Sequence, residues 1–344
     1  MDSDIEYRDY LSSDREAIIQ LLSEGRSPQY RAVKSAVFDW QYFANPHTDR
    51  GAPFLVGVLA GKIVAVNGRM PVRIRHKGIH KQAIWSNDFF VTKACRGRGF
   101  GRELKRRVAA TAEVGLAYGI SDMSDPIYAQ QGWVQSSEVR LLYFHSNEPR
   151  AKGLLKNMAT RLLRLAGRKA VEAASLRVVV NPATGAGVFD SEVDDLWRRC
   201  ADGYESIVER DADYLTWKYR RHPRLAYSAY EARHENRLEG LLIARWDPIE
   251  SVIVDYCGPR LGWRLKLALV NCAVVDVVAR GTARIRCETT DPEFVYALRQ
   301  CGFLNFSVNS GRFRVRSGLP GDRSPTRGFF LMTGDSDNDC LTGT

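Results

Sequence analysis

The stretch Asp88-Phe-Phe-Val91-Thr-Lys-Ala-Cys-Arg96-Gly97-Arg98-Gly99-Phe100-Gly101-Arg102-Glu-Leu104 decides the fold of this chain. Its apolar beginning is typical of a strand that ends at Val91, and a short turn separates this strand from a glycine-rich helix start. Glycines in this place let the backbone approach a ligand and take unusual φ and ψ values. Free amides at the helix start point at one spot, with the positive end of the helix dipole behind them. The stretch therefore predicts a phosphate-binding loop, to which arginines add positive charge.

Two common phosphate-binding motifs do not fit this loop. A P-loop requires Gly-Lys-Ser/Thr after its glycines, whereas Gly101 is followed here by Arg102 and Glu103. A dinucleotide-binding fingerprint requires G-x-G-x-x-G, and here the third glycine comes too early. That fingerprint also favours the first strand of a βαβ unit, whereas this is the fourth predicted strand. Both motifs are excluded by spacing.

The surrounding sequence predicts an α/β unit with a mixed sheet. Apolar residues recur with the period of strands or helices, and turn residues separate the runs. The predicted elements are a strand at 5–10, a helix after Asp14, a helix ending at Pro46, strands at 54–59, 62–72 and 79–91, a helix at 99–118, a strand at 119–122, a helix from Pro126 and a strand at 139–144.

The loop resembles the pyrophosphate loop of the GCN5-related N-acetyltransferase (GNAT) superfamily, Arg/Gln-x-x-Gly-x-Gly/Ala, with Arg96, Gly99 and Gly101 at the defining positions. The predicted order of elements is also similar to that fold. The resemblance implies acyl-CoA, with acetyl-CoA as the default, as a co-substrate. Its pyrophosphate would lie on the loop and its pantetheine arm along the end of the preceding strand. The cofactor-binding residues implied in this way are Phe89, Phe90, Val91, Arg96, Gly97, Arg98, Gly99, Phe100, Gly101 and Arg102.

The same resemblance implies two catalytic residues. In many members, a tyrosine four residues before the Gly-Phe of the last helix protonates the leaving thiolate. Tyr128, which lies four residues before Gly132-Trp133, occupies that position. Asp88, at the end of the fourth strand, is the nearest candidate for the base that deprotonates the amine. Tyr128 could instead be a packed helix residue, and Asp88 a sheet-edge residue bonded to backbone. The sequence departs from the family at Ser121, where many members have an asparagine.

Distant parts of the sequence also resemble each other. Residues 40–46 and 217–223 both read Trp-x-Tyr-x-x-x-Pro, and Gly132-Trp133 has a later counterpart in Gly302-Phe303. Repeats of this length indicate two copies of one domain. We expect the repeated tryptophans and tyrosines to anchor a helix on the sheet, because both copies keep them.

The second copy lacks the loop pattern. Its equivalent segment contains Pro259, which has no amide to donate, and Leu298 replaces the tyrosine. We therefore predict an α/β (α+β mixed-sheet) tandem GNAT-like fold with one working copy. Residues 1–147 form the GNAT domain, 148–187 a basic connecting helix and linker, 188–334 a degenerate GNAT-like domain, and 335–344 a loose polar tail.

Composition narrows the choice of partners. The net charge of +10 suggests an anionic partner, but no motif for reading bases supports nucleic acid. The run 150–169 is rich in Lys and Arg and shows apolar residues at helical spacing. It could lie on an anionic membrane, although a connecting helix is the favoured interpretation. Seven scattered cysteines without a CxxC pair favour reduced thiols and no metal site.

The predicted function is that of an acyl-CoA-dependent N-acyltransferase acting on a small-molecule amine, such as an amino sugar or sugar nucleotide. A loose likeness to bacterial two-domain members associated with surface-polysaccharide synthesis favours this acceptor class. The alternative is a non-catalytic acyl-CoA-binding or scaffolding protein with the same fold. The acidic, non-apolar beginning of the sequence predicts a cytoplasmic protein. The sequence is compatible with either a monomer or a homo-oligomer.

Overall fold

The computed structural model of the chain describes residues 5–48, 51–146, 177–182, 189–308, 312–337 and 339. Within these ranges the strands form two mixed sheets. In chain order they are β1 (Glu6–Asp9), β2 (Phe54–Leu59), β3 (Lys62–His76), β4 (Ile79–Val91), β5 (Val114–Ala117), β6 (Val134–Gln135), β7 (Arg140–His145), β8 (Arg177–Pro182), β9 (Ser206–Val208), β10 (Ser228–His234), β11 (Arg237–Arg245), β12 (Glu250–Cys257), β13 (Arg284–Thr289), β14 (Leu304–Val308), β15 (Arg314–Ser317) and β16 (Phe329–Phe330).

Helices pack on these sheets, and several begin at recognisable caps. Ser27 Oγ accepts the amide of Tyr30 at 3.2 Å, and Pro28 suits the first helical position of the helix that follows. The α-helices are α1 (Arg15–Leu22), α2 (Pro28–Tyr42), α3 (Phe100–Ala109), α4 (Asp125–Gln130), α5 (Ser191–Cys200), α6 (Ala212–Leu215), α7 (Trp263–Ala279) and α8 (Pro292–Gln300). Thr216–Arg220 forms a π-helical turn, and Ser12–Asp14, Lys93–Cys95 and Ala201–Gly203 form 3₁₀ turns.

The two halves of the chain exchange strands. The first sheet has the order β1-β2-β3-β4-β5-β15-β6, and β9 pairs with β3 at one end. The second has the order β14-β7-β13-β12-β11-β10-β8. Thus β15, from the second half, lies between β5 and β6, whereas β7, from the first half, lies between β13 and β14. The halves therefore share hydrogen-bonded sheets as well as one continuous apolar core.

The exchange corrects part of the sequence prediction. The strand predicted at 139–144 exists as β7, but the prediction that it completes the first copy is wrong. An alternating strand specifies which face is buried, while either sheet edge can satisfy its backbone groups. Strand β8 lies inside the predicted linker and pairs with β10. The basic run 150–169 lies outside the described residues.

The helix predicted at 99–118 is also too long. Helix α3 ends at Ala109, and Val114–Ala117 form β5 instead of a last helical turn. All four residues of β5 are buried. A short apolar run buried on both sides fits a helix or a strand by periodicity alone, which explains the error. The separate strand predicted at 119–122 is also wrong, because the strand of this region is β5 and residues 119–122 follow it outside any strand.

The repeated tryptophans lie against each other. Trp40 Nε1 donates a hydrogen bond to the carbonyl oxygen of Trp217 at 2.8 Å, and Trp217 Nε1 donates to that of Trp40 at 2.8 Å. Their rings are stacked with centroids 5.0 Å apart. The expectation that each anchors a helix on its own sheet is incomplete, since this reciprocal contact joins the two copies.

Trp40→Ala and Trp217→Ala are each expected to lower the free energy of unfolding by about 3–5 kcal/mol, because each leaves a cavity and an unpaired carbonyl. Since the rings contact each other, the double variant should lose less than the sum of the two. Urea unfolding measures these values. Trp246 is 40% exposed, so Trp246→Ala is the control with little expected loss. Strict additivity of the two core substitutions would contradict this account.

The described residues of the predicted tail, 335–337 and 339, are packed against the protein, which corrects the expectation that they are loose. Asp335 and Arg210 form a fully buried ion pair, with Arg210 Nη2 2.9 Å from Asp335 Oδ2. Asp339 accepts a hydrogen bond from the hydroxyl of Tyr227 at 2.8 Å. The acidic residues are held here because a buried arginine requires carboxylate partners. Residues 335–337 consequently pack between the two halves of the chain.

Candidate active site

The glycine-rich loop links the end of β4 to the start of α3. Gly97 and Gly99 have φ angles of +78° and +82°, which L-residues with side chains rarely adopt. A Cβ on either would meet nothing within 4 Å, so glycine is required here by the positive φ angle and not by lack of space. At Gly101 a Cβ would lie 3.1 Å from Phe89 Cζ and 3.2 Å from Val91 Cγ2, so this glycine is required by space. The loop thus turns its backbone into the first helical turn of α3, where free amides favour an anion.

An open groove of about 470 Å³ lies over this loop. It runs from the end of β4 to the start of α4, and it contains apolar and positively charged groups. The shape and lining fit a diphosphate at the helix start and an extended arm along the strand end. The sequence-predicted cofactor residues that line the groove are Phe89, Phe90, Val91, Arg96, Gly97, Gly99, Phe100, Gly101 and Arg102.

The three arginines of the loop differ in their surroundings. Arg96 Nε donates to the carbonyl oxygen of Val91 at 3.0 Å, which places its guanidinium beside the Phe90 ring. Arg98 is outside the lining of the groove and lies over the Phe100 ring at 4.8 Å. Arg102 is exposed on the first turn of α3 and lines the groove. Of the three loop arginines, Arg96 and Arg102 are therefore the two that line the groove.

Tyr128 lies on α4 beside the groove, next to Ile127, which lines it, and is 3% exposed. Its hydroxyl is 2.8 Å from Lys105 Nζ and 3.3 Å from the carbonyl oxygen of Ser86. Burial raises the pKa of Tyr128 well above its usual range, so the hydroxyl keeps its proton at neutral pH. The hydroxyl is therefore available as a proton donor.

Lys105, which the sequence analysis missed, is completely buried beside this hydroxyl. Its Nζ lies 2.5 Å from Asn67 Oδ1 and 2.7 Å from Ser86 Oγ, both uncharged oxygens. Burial holds the pKa of Lys105 well below its usual value. In the sequence, Lys105 is the first residue of a Lys-Arg-Arg run, a pattern typical of a solvent-exposed helix face. No feature of the neighbouring sequence therefore indicated that this lysine is buried.

Asp88 is held by two other side chains. Its buried carboxylate forms an ion pair with Lys34 and accepts the Tyr42 hydroxyl at 2.6 Å. Neither contact is the backbone hydrogen bond that the alternative interpretation of Asp88 requires. The second copy repeats the arrangement, since the Tyr219 hydroxyl donates to Asp255 Oδ2 at 2.7 Å. The second copy keeps this tyrosine–aspartate hydrogen bond although it lacks the glycine-rich loop. The bond between Tyr42 and Asp88 therefore has a packing role that does not depend on catalysis.

A second, smaller pocket of about 220 Å³ adjoins the groove. Arg26, Phe89 and Ser124 line both, so the two spaces lie on either side of shared side chains. The inner wall contains Tyr128 and polar side chains from distant parts of the chain. These are Tyr30, Asn87, Asp88, Tyr118 and Asp337.

The corresponding helix start of the second copy is closed by the chain itself. Gly262, at the start of α7, donates its amide to Glu293 Oε2 at 2.7 Å. The carboxylate of Asp291 forms an ion pair with buried Lys266 at 2.5 Å, directly behind that start. An anion of the protein thus lies where the first copy offers free amides, which supports the prediction that only one copy binds a phosphate.

Within the described ranges, no group of three or more His, Cys, Asp or Glu side chains is arranged to hold a metal ion. No helix of the described part of the chain is both long and apolar enough to cross a bilayer.

Comparison with known proteins supports the fold. No protein-family model and no curated protein matches the sequence. Solved structures do match. A GCN5-related N-acetyltransferase from Anabaena variabilis has a TM-score of 0.61 at 11% identity, over 92% of this chain and 73% of that one. One from Kribbella flavida has a TM-score of 0.60 at 16% identity, over 92% and 71%.

A tandem GNAT protein from the clavulanic acid biosynthesis pathway matches over its whole length. It has a TM-score of 0.52 at 14% identity and covers 93% of this chain. At such identities the likeness concerns the fold, and it agrees with the two mixed sheets and the strand-loop-helix at residues 88–109. This chain has the fold of the GCN5-related N-acetyltransferases in a tandem arrangement.

Proposed function

We propose that this protein is an acyl-CoA-dependent N-acyltransferase that transfers an acetyl group to a small-molecule amine. The observation that supports it best is that two pockets adjoin each other along Arg26, Phe89 and Ser124, with Tyr128 in the wall of the smaller one. One pocket has the lining that a diphosphate and a pantetheine arm need, and the other is small and polar. An acyl group delivered along the first would meet an amine held in the second.

Each part of the site has a role in this reaction. Bound acyl-CoA supplies an activated thioester carbonyl. The amides from Gly97 to Arg102, with Arg96, hold the diphosphate, and the end of β4 aligns the pantetheine arm. Tyr128 donates its proton to the sulfur as the thiolate leaves. Exclusion of water by the buried wall around Tyr128 and Lys105 strengthens these hydrogen bonds.

The polar second pocket supports an acceptor that carries several hydrogen-bonding groups. An amino sugar or a sugar nucleotide, as used in surface-polysaccharide synthesis, is the acceptor class that we propose. Asn87, Tyr30 and Tyr118 would bind its hydroxyl groups. Release of free thiol from acetyl-CoA across a panel of amines tests this choice.

Acetyl-CoA is expected to raise the thermal stability of the wild-type protein, by about 2.7 kcal/mol at a hundredfold excess over Kd. Arg102→Glu should weaken this binding about tenfold, because it puts a negative charge where the phosphates lie. Arg106→Glu, on the same helix but outside the groove lining, is the matched control that should bind normally. Thermal-shift titration measures both.

The outcomes separate three readings. Absence of any shift with acetyl-CoA and with free CoA would refute the proposal. Binding without thiol release for every amine tested would favour a non-catalytic acyl-CoA-binding protein. An equal loss in both arginine variants would mean that general charge, rather than the loop, governs binding.

A further inference from the structure

The end of the chain contributes a carboxylate to the acceptor pocket of the other half. Asp337 follows the second copy in the sequence, yet it lines the small pocket together with Tyr128 and Asp88. Its position is held by Ser336, whose Oγ lies 3.0 Å from Asn87 Oδ1 on β4. The pocket of the first copy is therefore completed by a residue that lies far away in the sequence.

The two carboxylates of this pocket have different partners. Asp88 is neutralised by the ammonium of Lys34 and bonded by the Tyr42 hydroxyl. Among the described residues, the hydrogen-bond donors to Asp337 are uncharged, namely Gln41 Nε2 at 3.2 Å and Ser336 Oγ at 3.1 Å. The negative charge of Asp88 is thus balanced by a direct ion pair with Lys34. The charge of Asp337 is balanced by Lys34 only through space.

The direction of the pKa shift of Asp337 agrees with its lack of a direct cationic partner. Burial raises its pKa above the usual range, and the nearby charge of Asp88 raises it further. Lys34, Gln41 and Ser336 act in the opposite direction. A raised pKa makes a carboxylate a better proton acceptor near neutral pH.

We propose that Asp337 receives the ammonium group of the acceptor and takes its proton, so that the acceptors of this protein are amines that enter the pocket as cations. This inference rests on the proposed function and adds the residue that would activate the nucleophile. It assigns Asp88 a positioning role, because Asp88 holds Lys34 and Tyr42 in place.

The ammonium transfers one proton to Asp337 and becomes a neutral amine. Its nitrogen attacks the thioester carbonyl carbon, a C–N bond forms, and the C–S bond breaks. Tyr128 gives its proton to the departing sulfur and regains one from the nitrogen as the amide forms. Asp337 finally releases its proton to solvent, and the products are an amide and a free thiol.

The groups around Asp337 define the pH dependence. Asp88, Lys34, Tyr30, Tyr42 and Tyr128 are the ionisable groups with which Asp337 interacts. Burial and neighbouring charge keep the three tyrosines protonated, so they do not titrate near neutral pH. Below the pKa of Asp337 its carboxyl group is neutral and cannot take a proton. The value of kcat/KM should therefore fall as the pH decreases through that pKa.

Asp337→Asn tests the inference with a side chain of the same size. The test measures kcat/KM from pH 5 to pH 9 by thiol release. Acetyl-CoA is the acyl donor, and glucosamine, ethanolamine and putrescine are the acceptors. The substitution should lower kcat/KM about tenfold or more at neutral pH and abolish the acidic limb due to Asp337. Asp337→Glu keeps a carboxylate and should keep an acidic limb. Thermal shift with acetyl-CoA should be the same in all three proteins.

The two proposals fail in different ways. If the wild-type protein turns over an amine, and Asp337→Asn retains its kcat/KM within twofold with the same acidic limb, Asp337 has no such role and the proposed function stands. Equal loss of activity in Asp337→Asn and Asp337→Glu, without an acidic limb in the latter, also overturns the inference. If the wild-type protein releases no thiol with any amine, the proposed function is refuted and this inference with it.

Discussion

Tyr128→Phe is expected to lower kcat by about a hundredfold to ten-thousandfold, which is the usual contribution of a positioned proton donor. The KM for acetyl-CoA should change little, since Tyr128 is not among the residues that line the groove over the glycine-rich loop. The phenylalanine ring keeps the packing against Trp133, whose ring centroid lies 5.1 Å from that of Tyr128. Steady-state kinetics with a saturating amine measures the effect.

A packing role for Tyr128 predicts the opposite result. In that case the phenylalanine variant should retain kcat within about twofold and show only the stability change of a lost hydrogen bond, about 1 kcal/mol. Acetyl-CoA affinity, measured by thermal shift, serves as the control for an intact groove. A loss of affinity together with kcat would place Tyr128 in binding rather than in proton transfer.

Lys105→Met should lower kcat by about tenfold to a hundredfold. When Tyr128 gives up its proton, the buried phenolate needs a donor, and Lys105 Nζ lies 2.8 Å away. A hydrogen bond to a charged group contributes about 1.5–3 kcal/mol, which corresponds to this range. Lys105→Gln retains an N–H donor and should keep part of the rate.

The same lysine should make stability depend on pH. Since burial lowers the pKa of Lys105, the folded chain binds fewer protons at this group than the unfolded chain between the lowered pKa and the usual value of 10.5. The free energy of unfolding therefore rises with pH across that window. Both the Met and the Gln variant lack this contribution.

Urea unfolding of the wild type and both variants from pH 7 to pH 10 measures this linkage. The difference in free energy of unfolding should move in favour of the wild type as the pH rises. A difference that stays constant would mean that Lys105 has an ordinary pKa in the folded protein. The kinetic prediction for Lys105→Met does not depend on that outcome.

Part of the site is encoded in a short stretch of sequence. The strand that ends at Val91, the positive φ of Gly97 and Gly99, and the free amides of α3 are all local features. A single local pattern was therefore enough to predict the loop and its neighbours. The same holds for the duplication, because residues 40–46 and 217–223 share a pattern of residue types.

The remaining groups of the site depend on contacts between distant residues. Lys105 becomes a buried partner of Tyr128 only because α3 packs beside α4, and a lysine in a basic run gives no sign of this. Asp337 reaches the pocket because the chain end returns past Gln41 and Asn87. Neither contact has a periodicity or motif that could be read along the chain.

The sequence by itself determined the glycine-rich loop at the helix start, the mixed α/β fold and the doubling of the domain, because backbone angles, helix starts and repeats are properties of neighbouring residues. Only the tertiary structure decided which sheet receives β7 and β15, how the two tryptophans meet, and which carboxylates line the smaller pocket. Free strand edges accept any strand of suitable pattern, and burial of charge depends on residues far away in the chain. Such choices are made when the two halves pack together.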